Sequence, residues 1–396
     1  MNSRQPMSDC ARLSVGLMLA ASALTASAAT VQPQTRGYVI DYFTYTTYFD
    51  GDDFSKDCPK GWFPDLSEAY LKTLPPAEQA RLQKPENAKE YAARFRGEGT
   101  EGQYGEDICA NPQSFAHDAR YPASLDYSYR GALAKGLNLS GDPHRADAPK
   151  TCKHEQFTSP EGKPVDNQLF RAMGCARDWR GGDPQGGEQI DLERRYVNSG
   201  DNVYLLEISG ITDMKNDDVV VRFYNTDDHP RVALNGKFMA NETFRPRTEP
   251  RFTTVMHGKI INGVLKTDPV DVLRTNNKRP STGANGVGPA FERLFRDARF
   301  ELTFNADGSL KGLLGAYQKP FQNFQGRYDG KVSATVVGEV CPLEYASLAA
   351  YADGYPDPKT GACTQISTAY DVEAVPAFIQ HADSEHATAS VGSIGR

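Results

Sequence analysis

Three polar residues in the first half of the chain have side chains that could do acid–base chemistry. His144, His154 and Asp166 fall within a polar, glycine- and proline-rich stretch, residues 97–184. A histidine beside a carboxylate can move protons near neutral pH, which is what a hydrolase or a lyase needs. We therefore take His144, His154 and Asp166 as the candidate catalytic residues. No nucleophile elbow or zinc-protease motif accompanies them.

Cys152 and His154 raise the alternative of a metal site, because a thiolate and an imidazole two residues apart could both face a zinc ion. A structural zinc site needs four ligands at recognisable spacing, and oxidation of Cys152 would remove its thiolate. The sequence therefore favours a structural role for Cys152, and no cofactor is expected at this place.

Acidic residues crowd a glycine-containing loop after the first strand-like segment. Asp50, Asp52 and Asp53 could supply the oxygen ligands that calcium prefers. Phe54 stands where an EF-hand would need another oxygen ligand, so a solvated acidic turn is the favoured interpretation. Asp213–Asp218 forms a second cluster with the same interpretation. Calcium is kept as the one cation that these loops could bind.

Asp166 and Asn167, in a short loop between two cysteines, are candidate ligand-binding residues. Trp179 is a third candidate, because an aromatic face in a loop can stack on a sugar or another flat ligand. Asn167 has a second possible role, since asparagine before the helix expected near Leu169 would cap that helix. Capping is the favoured role for Asn167.

Residues 1–28 have the pattern of a signal peptide. Arg4 and Arg12 form a charged start, Leu13–Leu24 is apolar but too short to span a bilayer, and Ala26–Ala28 is a cleavage site for signal peptidase. The sequence therefore predicts export, with a periplasmic or secreted location.

Six cysteines follow the signal peptide, and an even number in an oxidising compartment predicts disulfides. Cysteine spacing excludes a thioredoxin-type motif. Sequence neighbours close the shortest loops, although six cysteines allow many connectivities. The simplest expected pairs are Cys58–Cys109, Cys152–Cys175 and Cys341–Cys363.

The formal net charge is −7 and basic runs are absent, which argues against a nucleic-acid partner. No apolar run beyond residue 28 is long enough for a membrane helix. The expected partner is an unknown ligand or an envelope protein.

Short alternating segments separated by glycine, asparagine and aspartate turns predict a mainly β protein with some helix. Asn262-Gly263 is the strongest hairpin signal. We expect an antiparallel β-sandwich or jelly-roll-like core with an N-terminal helical segment and long disulfide-bridged loops. The expected strands are Gly37–Tyr48, Val203–Ser209, Asp218–Tyr224, Arg251–Ile261, Val264–Thr267, Ala298–Phe304 and Leu310–Tyr317, and the expected helices are Leu66–Leu74, Pro76–Phe95 and Pro342–Tyr351.

The length of 396 residues exceeds that of a typical single domain. Beyond the signal peptide we expect three regions. Residues 29–184 hold the first strand, the helices and the disulfide-bonded loops; residues 185–378 hold the β-rich core and a C-terminal disulfide segment; residues 379–396 form a flexible tail.

Three blocks of the chain resemble a group of uncharacterised exported bacterial proteins. The resemblance covers most of the chain after the signal peptide and implies an exported, β-rich, disulfide-bonded protein, with no activity to carry over. The first block is Cys152-x-His-x-x-Phe157-x-Ser-Pro160-x-Gly162, followed by Val165-Asp-Asn-Gln-Leu169 and Gly174-Cys175. The second is Asp201–Val221, and the third is Asp353-Gly-Tyr-Pro-Asp-Pro-x-Thr-Gly-x-Cys363.

Two functions follow as hypotheses. The first is an accessory protein of the periplasm or cell exterior that binds a ligand or partner through loops. The alternative is a hydrolase or lyase acting on an extracellular polymer. The positions of the candidate side chains distinguish the two hypotheses. An enzyme would bring His144, His154 or Asp166 together in one site, and at least one of them would have a shifted pKa.

Overall fold

The computed structural model describes residues 32–49, 53–63, 71, 74–91, 126–141, 151–152, 154–180, 194–195, 197–277, 291–320, 322 and 341–382. The predicted signal peptide and the end of the predicted tail lie outside these residues. The strands of this part, in chain order, are β1 (Gln34–Tyr45), β2 (Phe157–Thr158), β3 (Pro164–Val165), β4 (Tyr204–Ile211), β5 (Asn216–Asn225), β6 (Glu242–Phe244), β7 (Thr253–Ile261), β8 (Val264–Thr267), β9 (Leu273–Asn277), β10 (Phe291–Phe304), β11 (Leu310–Gln318), β12 (Gly354–Pro356) and β13 (Cys363–Ile379).

Eight of these strands close into an antiparallel β-barrel in the order β1-β4-β5-β7-β8-β10-β11-β13, with β13 returning to β1. Val39 shows the closure, because it lies opposite Leu205 of β4 on one side and Val375 of β13 on the other. The shorter β9 extends the barrel wall beside β10, and β12 pairs with the start of β13.

The expected sandwich or jelly roll is therefore wrong, although the mainly β composition is confirmed. Alternating residues define a strand with one buried face in a barrel as well as in a sandwich. The difference lies in which strands pair. The pairing of β1 with β13 joins residues more than 300 positions apart and leaves no local signal in the sequence.

The aromatic residues of β1 fill the barrel. Phe43 stacks on Tyr370 of β13 at 4.8 Å between ring centroids and meets Tyr204 of β4 edge-on at 5.2 Å. Phe43 also contacts Phe295 of β10 at 6.5 Å, and β1 and β10 are not neighbours in the sheet. These rings therefore meet across the interior, where aromatic pairs add to the hydrophobic stabilisation of the core.

Short helices pack around the barrel. Two of them are joined by a hydrogen bond of 3.1 Å, which the side chain of Ser347 donates to the carbonyl oxygen of Ala172. The ring of Trp179 packs on the ring of Tyr45 of β1, with 4.7 Å between the ring centroids. The described helices are α1 (Phe54–Asp57), α2 (Pro76–Leu82), α3 (Gln168–Met173), α4 (Arg177–Arg180) and α5 (Cys341–Ala350), with 3₁₀ turns at Pro85–Asn87 and Pro250–Phe252. None of the described helices has the length and apolar character that a membrane span requires.

Two local predictions can be compared with the structure directly. The expected helix over Pro76–Phe95 is confirmed in part: α2 ends at Leu82, Pro85, which has no N–H to donate, starts a 3₁₀ turn, and residues 88–91 are helical again. The hairpin at Asn262-Gly263 joins β7 to β8 as expected. Both residues have positive φ angles, 50° and 77°, as a tight two-residue turn requires.

The expected cysteine pairing is wrong. The described disulfides are Cys58–Cys175 and Cys152–Cys363, which span 117 and 211 residues. The entropic cost of closing a loop grows only slowly with the length of the loop. The packing of the folded chain therefore decides which cysteines pair. Cys109 and the side chain of Cys341 lie outside the described part of the chain.

Candidate metal centre

A short hairpin brings His154 and Asp166 together. β2 and β3 pair through Phe157 opposite Val165, so His154 just before β2 and Asp166 just after β3 lie at the same end of the hairpin. The amide of Asp166 donates to the carbonyl oxygen of Leu137 at 3.0 Å, which fixes the end of β3 against the preceding segment.

A second hairpin from the far end of the chain adds Asp353. The amide of Asp353 donates to the carbonyl oxygen of Gln365 at 2.9 Å, where β12 pairs with β13. The carbonyl oxygen of Asp353 in turn accepts from the amide of Cys152 at 2.9 Å. This main-chain bond, beside the bridge between Thr151 and Gly354, holds the His154 segment against the Asp353 hairpin.

The three side chains converge on one point. Nε2 of His154 lies 2.9 Å from Oδ1 of Asp166 and 3.5 Å from Oδ2 of Asp353, and the three atoms lie within 4.8 Å of one another. Both aspartates are fully buried, and the His154 side chain is 11% exposed. Nδ1 of His154 lies 2.9 Å from the carbonyl oxygen of Cys152, so Nδ1 carries a proton and Nε2 faces the carboxylates.

Asp166 is surrounded by hydrogen-bond donors. Its Oδ2 accepts from the amides of Leu139 at 2.7 Å and Ser140 at 2.9 Å, and its Oδ1 accepts from Nε2 of Gln156 at 3.2 Å. Burial raises the pKa of Asp166, but the bonds from His154, Ser140 and Gln156 outweigh it and hold that pKa below its usual value. Asp166 is therefore an ionised carboxylate at neutral pH.

Asp353 has the opposite environment. Its Oδ1 accepts from the amide of Ser367 at 2.6 Å, while its Oδ2 is buried and accepts no hydrogen bond from any described residue. Burial raises the pKa of Asp353 to about 7, against the opposing effects of His154 and the Ser367 bond. Burial alone would lower the pKa of His154, but the bond to Asp166 and the charge of Asp353 raise it to about 9.

The arrangement matches the donor set of a divalent transition-metal site. Zinc, for example, binds imidazole nitrogen and carboxylate oxygen at about 2.0–2.2 Å, which places tetrahedral ligands about 3.3 Å apart. The two distances from His154, 2.9 and 3.5 Å, lie on either side of that value. A dication with a neutral imidazole and two carboxylates is also electrically neutral, which a buried site requires. Calcium is a poorer fit because it prefers six to eight oxygen ligands.

A buried tyrosine lies next to this cluster. Tyr317 of β11 is fully buried, and its hydroxyl has no hydrogen-bond partner among the described residues. A Cβ added to Gly354 would lie 2.5 Å from the Tyr317 ring, so the ring packs directly on the chain beside Asp353. Burial, with the charges of Asp353 and Asp166, raises the pKa of Tyr317, and the phenol therefore keeps its proton as a possible donor.

The other residues singled out from the sequence lie elsewhere. Asp53 is exposed and accepts from the amide of Lys56 at the start of α1, and Asp50, Asp52 and His144 fall outside the described residues. Asn167 accepts from the amide of Phe170 as the cap of α3.

Trp179 and Asp217 also have local roles in the structure. Trp179 is 4% exposed and packs on Tyr45. Asp217, in the second acidic cluster, accepts from the amides of Thr212 and Asp213 within its own turn.

Asp353 is the residue that sequence reasoning did not select. It opens the third block, Asp353-Gly-Tyr-Pro, that carries the resemblance to exported proteins, but nothing local ties that block to His154. The pairing of Cys152 with Cys363 would have made the connection, because it joins the His154 segment to the strand that follows Asp353.

Comparison with protein-family models, with curated proteins and with solved structures finds no match to this chain.

Proposed function

We propose that this chain is an exported accessory protein that binds a divalent transition-metal ion, with His154, Asp166 and Asp353 as its protein ligands. The ligand expected for the loops of the β core is then a metal cation. Zinc is the first choice, because its common ligands include both imidazole nitrogen and carboxylate oxygen and its sites tolerate three protein ligands.

One observation carries the proposal: Oδ2 of Asp353 is buried, accepts no hydrogen bond within the described part of the chain, and lies 3.5 Å from Nε2 of His154. A buried carboxylate oxygen without a partner is costly, and natural proteins keep such groups where they serve a function. A cation between Asp353, Asp166 and His154 would give this oxygen its partner.

The carbonyl oxygen of Cys152 supports the same proposal. In metal sites, a ligating histidine commonly donates its second ring N–H to a carbonyl or carboxylate, which fixes the tautomer. His154 has this arrangement, with Nδ1 on the Cys152 carbonyl and Nε2 directed at the aspartates.

The location belongs to the proposal as well. Disulfides such as Cys58–Cys175 and Cys152–Cys363 persist in oxidising compartments, which supports a periplasmic or secreted protein. The signal-peptide pattern of residues 1–28 supports the same location.

A hydrolase or lyase is the second candidate, and the convergence of His154 with Asp166 favours it. Three protein ligands leave a coordination position for water or substrate, as catalytic zinc sites do. The burial of both aspartates argues against an extracellular polymer as the substrate. A chain of sugar or peptide units could not reach carboxylates that are not exposed at the surface.

Thermal unfolding with and without added ZnCl₂ tests the proposal. A ligand that binds only the folded state at about 100 times its dissociation constant stabilises it by about 2.7 kcal/mol. We expect zinc to raise the unfolding temperature of the wild type and of Asp357→Asn, a control in the same hairpin whose Oδ1 only caps a turn. We expect no such rise for Asp353→Asn. Equal responses of Asp353→Asn and the wild type would contradict the proposal.

A further inference from the structure

We infer that the Cys152–Cys363 disulfide positions the ligands of the metal site and thereby sets its affinity. This inference rests on the proposed function, because it assigns the disulfide a role towards the same three side chains. Cys58–Cys175 joins the ends of α1 and α3 and packs in one buried cluster with Phe157 and Val165 of the β2–β3 hairpin. Its main chain makes no hydrogen bond to His154, Asp166 or Asp353 among the described residues, so we assign it no positioning role.

Cys152 contacts both halves of the site through its main chain. Its carbonyl oxygen faces Nδ1 of His154 at 2.9 Å, and its amide donates to the carbonyl oxygen of Asp353 at 2.9 Å. Any shift of Cys152 therefore changes the orientation of the His154 ring and its distance from Asp353.

Cys363 belongs to the strand that holds Asp353. It lies opposite Pro356 in the β12–β13 pair, and Gln365, two residues on, accepts from the amide of Asp353. The amide of Ser367 then binds Oδ1 of Asp353 at 2.6 Å. The disulfide thus joins the residue that orients His154 to the strand that orients Asp353.

The remaining contacts between these two segments are few in the described residues. Apart from the approach of His154 to Asp353 at 3.5 Å, they are the bond from the Cys152 amide at the single bridge between Thr151 and Gly354. By contrast, Asp166 is held independently of the disulfide, by the amides of Leu139 and Ser140. Loss of the disulfide should therefore loosen His154 relative to Asp353 and leave Asp166 in place.

Outer contacts that orient a metal ligand typically change affinity by 10–100-fold when they are removed. We expect the affinity for the metal to fall by a factor of about this size when the disulfide is absent. Serine variants test it without creating new thiolates, which would themselves bind zinc.

The experiment measures the zinc dissociation constant by equilibrium dialysis of the full chain. It compares the wild type with Cys152→Ser/Cys363→Ser and with Cys58→Ser/Cys175→Ser as the matched control. We expect about 10–100-fold weaker binding for the first variant and a nearly unchanged constant for the second. Circular dichroism confirms that each protein is folded at the temperature of the measurement.

The outcomes separate the two proposals. Zinc binding by the wild type with an unchanged constant in Cys152→Ser/Cys363→Ser would overturn the inference and leave the metal site standing. An equal loss in both variants would also overturn it, since the effect would then be general destabilisation. A Cys152→Ser/Cys363→Ser chain that does not fold contradicts the local role assigned here. No zinc binding by the wild type would overturn the proposed function, and this inference with it.

Discussion

Oδ2 of Asp353 lies 3.5 Å from Nε2 of His154, although the two residues come from opposite halves of the sequence. Two short hairpins, β2–β3 and β12–β13, place them there, and a disulfide joins the segments. Asp166 completes a buried cluster of one imidazole and two carboxylates. We propose that this cluster binds a metal cation.

The two aspartates should respond differently to the same substitution. Asp166 accepts bonds from His154 and from the amides of Leu139 and Ser140, so Asp166→Asn leaves buried donors facing an amide group. Breaking a buried charge pair typically costs about 3–5 kcal/mol. We expect a loss of this order in the free energy of unfolding, measured by urea denaturation in the presence of a chelator.

Asp353→Asn is the comparison for that measurement. Its Oδ1 can still accept from the amide of Ser367, and the oxygen that changes to an amide nitrogen accepts no hydrogen bond from any described residue. We expect a smaller loss than for Asp166→Asn, because the substitution removes only the 3.5 Å ion pair with His154. Equal losses would show that Asp353 has a structural role like that of Asp166.

Gly354 should be required for the geometry of the site. A Cβ at this position would lie 2.5 Å from the Tyr317 ring, and forcing extra atoms into a packed core typically costs about 1–3 kcal/mol. We expect Gly354→Ala to lower stability by about this amount and to weaken zinc binding, because Asp353 precedes the displaced residue. In a Tyr317→Leu background, where the contact is relieved, we expect Gly354→Ala to cost much less than in the wild type. The same cost in both backgrounds would contradict the explanation.

Asp41 offers a test of burial and pH away from the site. It is 7% exposed at a bulge in β1, and its Oδ1 has no partner among the described residues. Burial raises its pKa above 3.8, with Lys237 opposing and Glu373 adding to the effect. The folded protein therefore holds this proton more tightly than the unfolded chain, and ionisation of Asp41 destabilises the fold as pH rises above 3.8.

Asp41→Asn should remove the destabilisation that ionisation of Asp41 causes. We expect the variant to be more stable than the wild type at pH 7 and to match it more closely at a pH well below 3.8, where Asp41 is protonated in both states. Thermal unfolding at the two pH values gives the comparison. A stability difference that stays the same at both would show that the effect does not come from ionisation.

Thiol titration tests the disulfides. The described bonds use four cysteines, and the even count beyond residue 28 predicts that Cys109 and Cys341 are oxidised too. We expect no free thiol in a chain that lacks residues 1–28 when it is unfolded without a reductant. Two free thiols would limit disulfide formation to the described pairs, and four or more would contradict those pairs.

Local features of the fold could be predicted from the sequence. The alternation in Ala298–Phe304 and the Asn262-Gly263 turn act through neighbouring residues, and both appear in the structure as β10 and the β7–β8 turn. Capping of α3 by Asn167 is local in the same way. Pro85 also explains from the sequence why α2 stops, although the run of helix-forming residues around it favours a longer helix.

Long-range relationships could not be predicted. Whether β1 pairs with β13 depends on contacts between the two ends of the chain, and a strand pattern is the same in an open or a closed sheet. The choice of Cys363 as the partner of Cys152 follows from that folding. Two of the three candidate ligands, His154 and Asp166, lie close together in the sequence and can be selected from it, whereas Asp353 requires the tertiary structure.

Calorimetric titration of the chelator-treated protein with ZnCl₂ tests the central claim most directly. We expect a saturable site with one ion per chain in the wild type, lost in His154→Ala and Asp353→Asn and retained in Asp357→Asn. Absence of binding in the wild type, or binding of the same affinity and stoichiometry in Asp353→Asn, would contradict it.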